Sequence, residues 1–212
     1  MSSSPGLADL SLRGFSDRLA ERTPTPGGGS VAAYLVTVGS GLVAMAFRFS
    51  TGPKYSAVEP AMLRRAGELD GIRARALEFV DLDSAAYDAV TSAFSLPKGS
   101  EEEKSRRTEV VQAALLGALE VPLGTMESAL SALRIAAEGA SDINRNLASD
   151  FATGSWCLWS AAEAAALNVR INAASLTDRD LARSRLAECD RIQRESLALA
   201  ESSRVSAARH FS

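Results

Sequence analysis

The sequence has 212 residues, of which 46% are hydrophobic and 23% charged, and a formal net charge of −3. This composition predicts one globular domain over residues 1–212 with enough apolar material for a sizeable core. Because nucleic-acid binding needs clustered Lys and Arg, the mild acidity argues against a nucleic-acid partner.

Two predicted helices flank a turn rich in proline and glycine. The first helix covers residues 7–21, and Pro24 and Pro26 end it before the triple glycine Gly27, Gly28 and Gly29. The second helix is predicted from Ser30 to about Phe49. Its sequence is almost free of charge, so it is expected to be buried.

The stretch from residue 24 to residue 47 contains no charged side chain and is long enough to span a bilayer. Small and polar residues interrupt it: Thr37, Gly39, Ser40 and Gly41. This content favours a core helix, packed closely through small residues, over a membrane span.

The middle of the chain predicts long helices with clear boundaries. One helix is expected over residues 60–94, either continuous or kinked near Gly71. A capping box, Ser100 with Glu103, marks the start of the next helix. That helix is predicted to end near Glu120, with Pro122 as a kink or as the start of a fifth helix reaching residue 138.

Two further helices complete the chain. The first, over residues 151–174, is nearly uncharged, and the second, capped by Thr177 with Asp180, extends to residue 208. With no strand pattern, these elements predict an all-α, up-and-down helical bundle with two buried apolar helices. Because two such helices are more than a small bundle covers, a homodimer or larger even-numbered oligomer is expected.

The cysteines and the single histidine limit which metal sites and catalytic mechanisms the sequence supports. Cys157 and Cys189 fit no metal-binding spacing and indicate the reduced thiols of a cytoplasmic protein. The only histidine, His210, stands close to the C-terminus, which argues against histidine-based catalysis and a His/Cys metal site. The opening stretch, residues 1–10, lacks the pattern of a signal peptide.

The segment PTPGGGS, residues 24–30, has two interpretations. Its glycines and serine can simply end a loop and cap a helix, which the spacing alone favours. They can also leave backbone N–H groups free to hold an anion or carbonyl at the positive end of the helix dipole.

Three acidic residues follow one another in the predicted third helix: Asp81, Asp83 and Asp88. Asp81 and Asp88 are interpreted as solvated surface acids. Asp83 shares an otherwise apolar face with Tyr87, four residues later. A carboxyl group there would have a raised pKa, which suits a group that takes and gives protons near neutral pH, although a solvated role stays open.

Polar residues in the second half of the chain also leave alternatives open. Asn144, Asn146, Ser149 and Asp150 can form a loop and cap a helix. Three others stand in an apolar helix: Asn168, Arg170 and Asn172. They can hydrogen-bond to a bound heterocycle or fasten helices together at a subunit interface.

Basic residues gather at the two turns that contain proline and glycine. The set is Lys54, Lys98, Lys104, Arg106 and Arg107. Solvated loop cations are the default interpretation, and attraction of an acidic tail on a substrate is the alternative.

Six motifs in this order resemble the formimidoyltetrahydrofolate cyclodeaminase and methenyltetrahydrofolate cyclohydrolase family. They are PTPGGGSVAA at 24–33, VDLDSAAYDAV at 80–90, LPKGSEEEKSRR at 96–107, VPL at 121–123, N.N..SD at 144–150 and LNVRIN...LTD at 167–178. The resemblance covers nearly the whole chain. It implies an all-helical, oligomeric protein that acts on a folate without a metal or redox cofactor.

The resemblance also assigns roles to individual residues. Asp83, four residues before the aromatic Tyr87, matches the catalytic aspartate of the family. Other residues are implied to contact the substrate: Gly27, Gly28, Gly29, Ser30, Lys54, Tyr87, Lys98, Asn144, Asp150 and Asn168. Lys54 and Lys98 would lie near the glutamate tail. Trp156 and Trp159 stand where smaller residues are expected, which would reshape the pocket or an interface.

The predicted activity is cyclisation of 5-formimidoyltetrahydrofolate to 5,10-methenyltetrahydrofolate with release of ammonia, a lyase reaction. The nearest alternative is a hydrolase, methenyltetrahydrofolate cyclohydrolase, in which water attacks the same carbon and Asp83 is the base. A non-catalytic folate-binding or assembly protein is the third interpretation. A separate formiminotransferase is a possible partner of the enzyme.

Overall fold

The computed structural model describes residues 6–209, and over that range the chain forms α-helices and short 3-10 turns with no strand. The α-helices are α1 (Leu12–Ala20), α2 (Gly28–Arg48), α3 (Glu59–Phe94), α4 (Glu101–Gly139), α5 (Ala148–Ala174) and α6 (Arg179–Ala208). The 3-10 turns are Leu7–Asp9, Pro53–Tyr55 and Arg145–Leu147. The predictions about His210 and the first five residues concern positions outside the described range.

Helix α2 lies in the core, packed against α3 on one side and α5 on the other. It crosses α5 where Gly39 and Gly154 face each other, since a Cβ on either residue would lie 2.8 Å from the other's carbonyl oxygen. By length and composition α2 resembles a membrane span, yet 61% of its most apolar window is buried inside the protein. The predicted close packing through small residues is confirmed.

Helix α4 passes through Pro122 without a break, so the predicted end of a helix near Glu120 is wrong. Proline has no N–H to donate to the carbonyl four residues earlier, which belongs to Ala118. The Nδ2 of Asn172 on α5 donates to that carbonyl oxygen at 2.6 Å. The interhelical bond compensates for the missing one, and buried side chains on both sides of Pro122 hold α4 in the core.

The capping box at the start of α4 is confirmed, because Ser100 Oγ accepts from the Glu103 N–H at 3.1 Å. The predicted cap of the last helix is wrong by one residue. Asp178 accepts hydrogen bonds from the first backbone N–H groups of α6, while the Thr177 N–H donates to the side chain of Gln112 on α4. A carboxylate accepts more strongly than a hydroxyl at a helix N-terminus.

The N-terminal segment starts differently from the prediction. Residues 7–9 form a separate 3-10 turn, and α1 begins only at Leu12, where the Ser11 side chain accepts from the Gly14 N–H. The carboxylate of Asp81 on α3 accepts a hydrogen bond from the Leu7 N–H. Asp81 is therefore a half-buried anchor for this segment, and its interpretation as a solvated acid is wrong.

Candidate functional site

The carboxyl group of Asp83 projects from α3 onto the first turn of α2. Ser30 Oγ donates a hydrogen bond to Asp83 Oδ2 at 2.9 Å, and the backbone of Ser30 also bonds to this carboxylate. Burial raises the pKa of Asp83, and the hydrogen bonds from Ser30 oppose part of that rise. The pKa of this carboxyl group thus changes in the predicted direction.

Gly29 permits this arrangement. A Cβ at residue 29 would lie 2.0 Å from Asp83 Oδ1 and 2.5 Å from its Cγ, so the carboxyl group occupies the space that any side chain would need. At Gly27 and Gly28 the atoms nearest to an added methyl group would lie at 3.7 and 3.8 Å, which is ordinary contact. The group that approaches the glycine backbone is a side chain of the protein itself, which neither interpretation of PTPGGGS included.

A cavity of about 340 Å³ opens beside this carboxyl group, between the start of α2 and the sides of α3, α4 and α5. Its lining residues are Pro24, Thr25, Gly27, Gly28, Gly29, Asp83, Ala86, Tyr87, Val90, Ala118, Asn168, Ile171 and Asn172. A cavity of this size, lined by both apolar side chains and convergent polar groups, is typical of a small-molecule site.

The cavity brings together many of the predicted site residues. Six of the predicted residues line it, namely Gly27, Gly28, Gly29, Asp83, Tyr87 and Asn168, and Ser30 contacts Asp83 from behind. Asn172 also lines it. The sequence analysis gave Asn172 as a residue that either binds a heterocycle or fastens helices, but did not include it among the residues assigned by resemblance. Its position four residues after Asn168 was the available signal, because that spacing places two side chains on one helix face.

The other predicted residues lie elsewhere in the chain. Lys54 lines a second cavity of about 340 Å³ beyond the C-terminal end of α2. Asn144 is near it, donating through its backbone N–H to Ser50 Oγ and through Nδ2 to the Phe49 carbonyl oxygen. Because 21 residues of α2 span roughly 30 Å, neither residue shares the Asp83 cavity within one chain.

Asp150 and Lys98 are also outside the Asp83 cavity. Asp150 is in the first turn of α5, next to Phe151, whose ring contacts Phe47 near the C-terminal end of α2. Lys98 is exposed in the turn between α3 and α4. A role in substrate binding for these residues stays a prediction.

The three polar residues late in α5 have separate functions in the fold. Arg170 donates to Asp190 Oδ1 at 2.7 Å and to Gln193 Oε1 at 2.8 Å, so it fastens α5 to α6 within the chain. Asn168 donates through Nδ2 to the Ala164 carbonyl oxygen of its own helix. Asn172 joins α5 to α4, as described above.

Two further predictions concern residues near the site. Asp88 is exposed on α3, as predicted for a solvated acid. Trp156 and Trp159 form an edge-to-face pair with ring centroids 5.2 Å apart, and neither lines the Asp83 cavity. Within one chain the tryptophan pair does not reshape this cavity.

Known proteins have sequences related to this one over most of its length. Residues 11–191 match the family model described as formiminotransferase-cyclodeaminase. A methenyltetrahydrofolate cyclohydrolase from Methylorubrum extorquens is 36% identical, over 88% of this chain and 90% of its own length. A formimidoyltransferase-cyclodeaminase from Rattus norvegicus is 32% identical over 81% of this chain, which corresponds to only 32% of that longer protein.

A solved structure gives the same result for the fold. The crystal structure of formiminotetrahydrofolate cyclodeaminase from Thermotoga maritima superposes with a TM-score of 0.84, at 27% identity, over 94% of this chain and 96% of that one. The predicted all-α fold and the resemblance drawn from the six motifs are both confirmed. The chain belongs to the formiminotransferase-cyclodeaminase family, whose members process one-carbon units on folate.

Proposed function

We propose that the protein is a methenyltetrahydrofolate cyclohydrolase that uses Asp83 as its general base. The observation that carries the proposal is the half-buried Asp83 carboxyl group, with its pKa raised by burial, in the wall of a cavity large enough for a heterocycle. The cyclohydrolase is preferred over the cyclodeaminase because the relative with that name matches at 36% identity over nine-tenths of its length.

In the proposed reaction, water attacks the cationic carbon that bridges N5 and N10 of 5,10-methenyltetrahydrofolate. Asp83 accepts one proton from the water as the new C–O bond forms, which leaves a neutral tetrahedral intermediate. The bond from carbon to N5 then breaks, the hydroxyl proton is transferred to N5, and 10-formyltetrahydrofolate is released. Asp83 finally loses its proton to solvent, so the reaction yields one proton overall.

The hydrogen bond from Ser30 gives the base a defined direction. Ser30 Oγ donates to Oδ2 and the Ser30 backbone bonds to the same carboxylate, so the carboxyl group is held in one position beside Gly29. We propose that this carboxylate accepts the proton. Burial supports this role, since a carboxylate of raised pKa is a stronger base than an exposed one.

The cyclodeaminase activity is the second candidate, and the match to the Thermotoga maritima structure over nearly the full length of both chains favours it. Here N10 attacks the protonated formimino carbon on N5. Asp83 takes the proton from N10 and gives it to the departing amine, ammonia leaves, and the methenyl cation remains. The same carboxyl group serves both reactions, because each needs one proton moved beside the same carbon.

We propose that the protein needs no redox cofactor, because neither reaction involves electron transfer, and no metal, because Asp83 moves the proton that each reaction requires. We also propose that the protein acts in the cytoplasm. We also propose a homodimer or higher even-numbered oligomer. Leu167 and Ile171 on α5, of which Ile171 lines the cavity, are 65% and 69% exposed, as expected for side chains that a second subunit covers. A separate formiminotransferase would be a partner of the cyclodeaminase activity only.

The test is to incubate the protein with each substrate and follow the absorbance of the methenyl group and the release of ammonia. Falling absorbance with 5,10-methenyltetrahydrofolate, faster than the uncatalysed rate, supports the cyclohydrolase. Rising absorbance with ammonia release from 5-formimidoyltetrahydrofolate supports the cyclodeaminase. Asp83→Ala is the matched control, and binding without turnover of either substrate would instead indicate a non-catalytic folate-binding protein.

A further inference from the structure

Asn172 connects two unusual features of the fold. Pro122 leaves the Ala118 carbonyl without its normal helical donor, and Asn172 Nδ2 donates to this carbonyl from the neighbouring helix at 2.6 Å. A backbone carbonyl can only accept, so the end of the amide that faces it must be the NH₂ group. This contact fixes the orientation of the Asn172 side chain.

The consequence for the cavity is a fixed hydrogen-bond acceptor. With Nδ2 turned to Ala118, the Oδ1 of Asn172 is available to the cavity, and none of the hydrogen bonds among residues 6–209 ends on it. Asn168, one helical turn earlier, also lines the cavity, but its Nδ2, which donates to the Ala164 carbonyl oxygen, is the atom nearest to Gly28. Of the two asparagines, Asn172 therefore offers its carbonyl oxygen to the cavity.

The Asn172 oxygen selects for donors on a ligand. The start of α2 also lines the cavity, and its first backbone N–H groups, at Gly28 and Gly29, select for acceptors. In a tetrahydrofolate the 2-amino group and N3–H of the pterin ring are adjacent donors, whereas the glutamate tail ends in acceptors. The α5 wall thus suits the pterin ring and not the tail.

We infer that Asn172 Oδ1 accepts a hydrogen bond from the 2-amino and N3–H edge of the pterin ring, with Asn168 beside it, and so determines specificity for that ring. This inference rests on the proposed folate substrate. Asn172 has two separable functions, since its Nδ2 supports α4 and its Oδ1 contacts the ligand.

The experiment separates these two functions with a compensating substitution. Asn172→Ala alone leaves the Ala118 carbonyl without a donor and should lower the melting temperature. Adding Pro122→Ala restores a backbone N–H at residue 122 that can donate to Ala118, so the double variant should recover the melting temperature. Asn146→Ala, an exposed asparagine outside the site, is the matched control.

The readout is binding of 5-formyltetrahydrofolate and of its 2-desamino-2-methyl analogue, measured by isothermal titration. The parent protein and the control variant should bind the analogue about five- to tenfold more weakly, as expected for the loss of one hydrogen bond. The variant with Asn172→Ala and Pro122→Ala should bind the two ligands within about twofold of each other.

Each outcome decides the matter. If the double variant still binds the analogue more weakly than 5-formyltetrahydrofolate, whether or not the single variant Asn172→Ala had lost this difference, Asn172 has only a structural role and the inference is wrong. If the parent protein binds neither ligand, the proposed folate substrate fails and the inference fails with it. If the parent binds both equally, the pterin edge does not contact Asn172.

Discussion

Replacement of Gly29 with alanine should separate catalysis from stability. The new Cβ would lie 2.0 Å from Asp83 Oδ1, whereas ordinary contacts begin near 3.4 Å, so the carboxyl group must move by roughly 1.4 Å. Gly29 is in the first turn of a core helix and cannot move away easily. A movement of this size breaks the 2.9 Å hydrogen bond from Ser30 to the carboxylate.

The expected loss of activity is about 100-fold in kcat, because misplacing a catalytic group by about 1 Å costs that much. The expected change in stability is small. Loss of the Ser30 hydrogen bond costs about 1 kcal/mol, and alanine in place of helical glycine offsets about 0.5–1 kcal/mol. In Gly29→Ala the Asp83 carboxyl group should therefore be displaced, while the melting temperature of the variant stays within a few degrees of the parent's.

Initial rates with both folate substrates and a thermal melt provide the assay. Gly67→Ala, at an exposed position of α3 where a Cβ meets nothing within 4 Å, is the control for helix propensity. It should keep full activity. If Gly29→Ala keeps more than a third of the parent's kcat, either the carboxyl group is not the base or its position is unimportant, and the reasoning fails.

Three further substitutions have distinct expected results. Asp83→Asn should lower kcat by a factor of roughly 10²–10⁴. In the parent protein, activity should fall as the pH drops through the raised pKa of Asp83, because the protonated acid cannot accept a proton. The same variant should melt at a higher temperature than the parent at neutral pH, because burial of the ionised carboxylate is costly, and this gain should shrink as the pH is lowered and the parent's carboxylate is protonated. If the residual activity of the variant fell at low pH just as the parent's does, the role of Asp83 would be contradicted. Gly39→Ala places a methyl group 2.8 Å from the Gly154 carbonyl oxygen. It should destabilise the folded protein by roughly 2–3 kcal/mol and lower the melting temperature by about 5–10 °C. An unchanged melting temperature would mean that α2 and α5 separate easily. Arg170→Ala should lower the melting temperature by about 2–4 °C with KM within twofold, whereas a large rise in KM would show that the arginine reaches the ligand.

The sequence predicted those features that depend on local patterns. The capping box at Ser100, the long α3 and the buried α2 follow from residue spacing and composition, and the structure confirms them. The shared face of Asp83 and Tyr87 also follows from helical periodicity, and both residues line the cavity. Such features need no knowledge of which helices pack together.

The features that the sequence did not predict depend on contacts between distant residues. Pro122 reads as a helix break because its effect on α4 is compensated by Asn172, 50 residues later. Gly29 reads as part of a flexible turn, because the carboxyl group that requires it belongs to another helix. The sequence pattern predicts an exposed Asp81, because the N-terminal segment around Leu7 that covers it lies more than 70 residues earlier in the chain.

The same limit applies to the residues assigned by resemblance. Asn144 belongs to one of the matching motifs, and Lys54 was expected near the glutamate tail. The fold places both residues at the opposite end of α2 from Asp83. Motifs that characterise the same family need not be neighbours in one folded chain. Oligomerisation is the physical process that can bring opposite ends together, and sequence spacing gives no information about it.

The crossing of α2 over α5 at Gly39 and Gly154 restricts how the chain length can vary. Each residue added between this crossing and the cavity would turn the following part of the helix by about 100° and advance it by about 1.5 Å. Gly28 or Asn168 would then rotate out of the cavity wall, even though no side chain had been replaced. Insertions and deletions should therefore be tolerated in the interhelical turns but not in the intervening segments, residues 30–38 and 155–167.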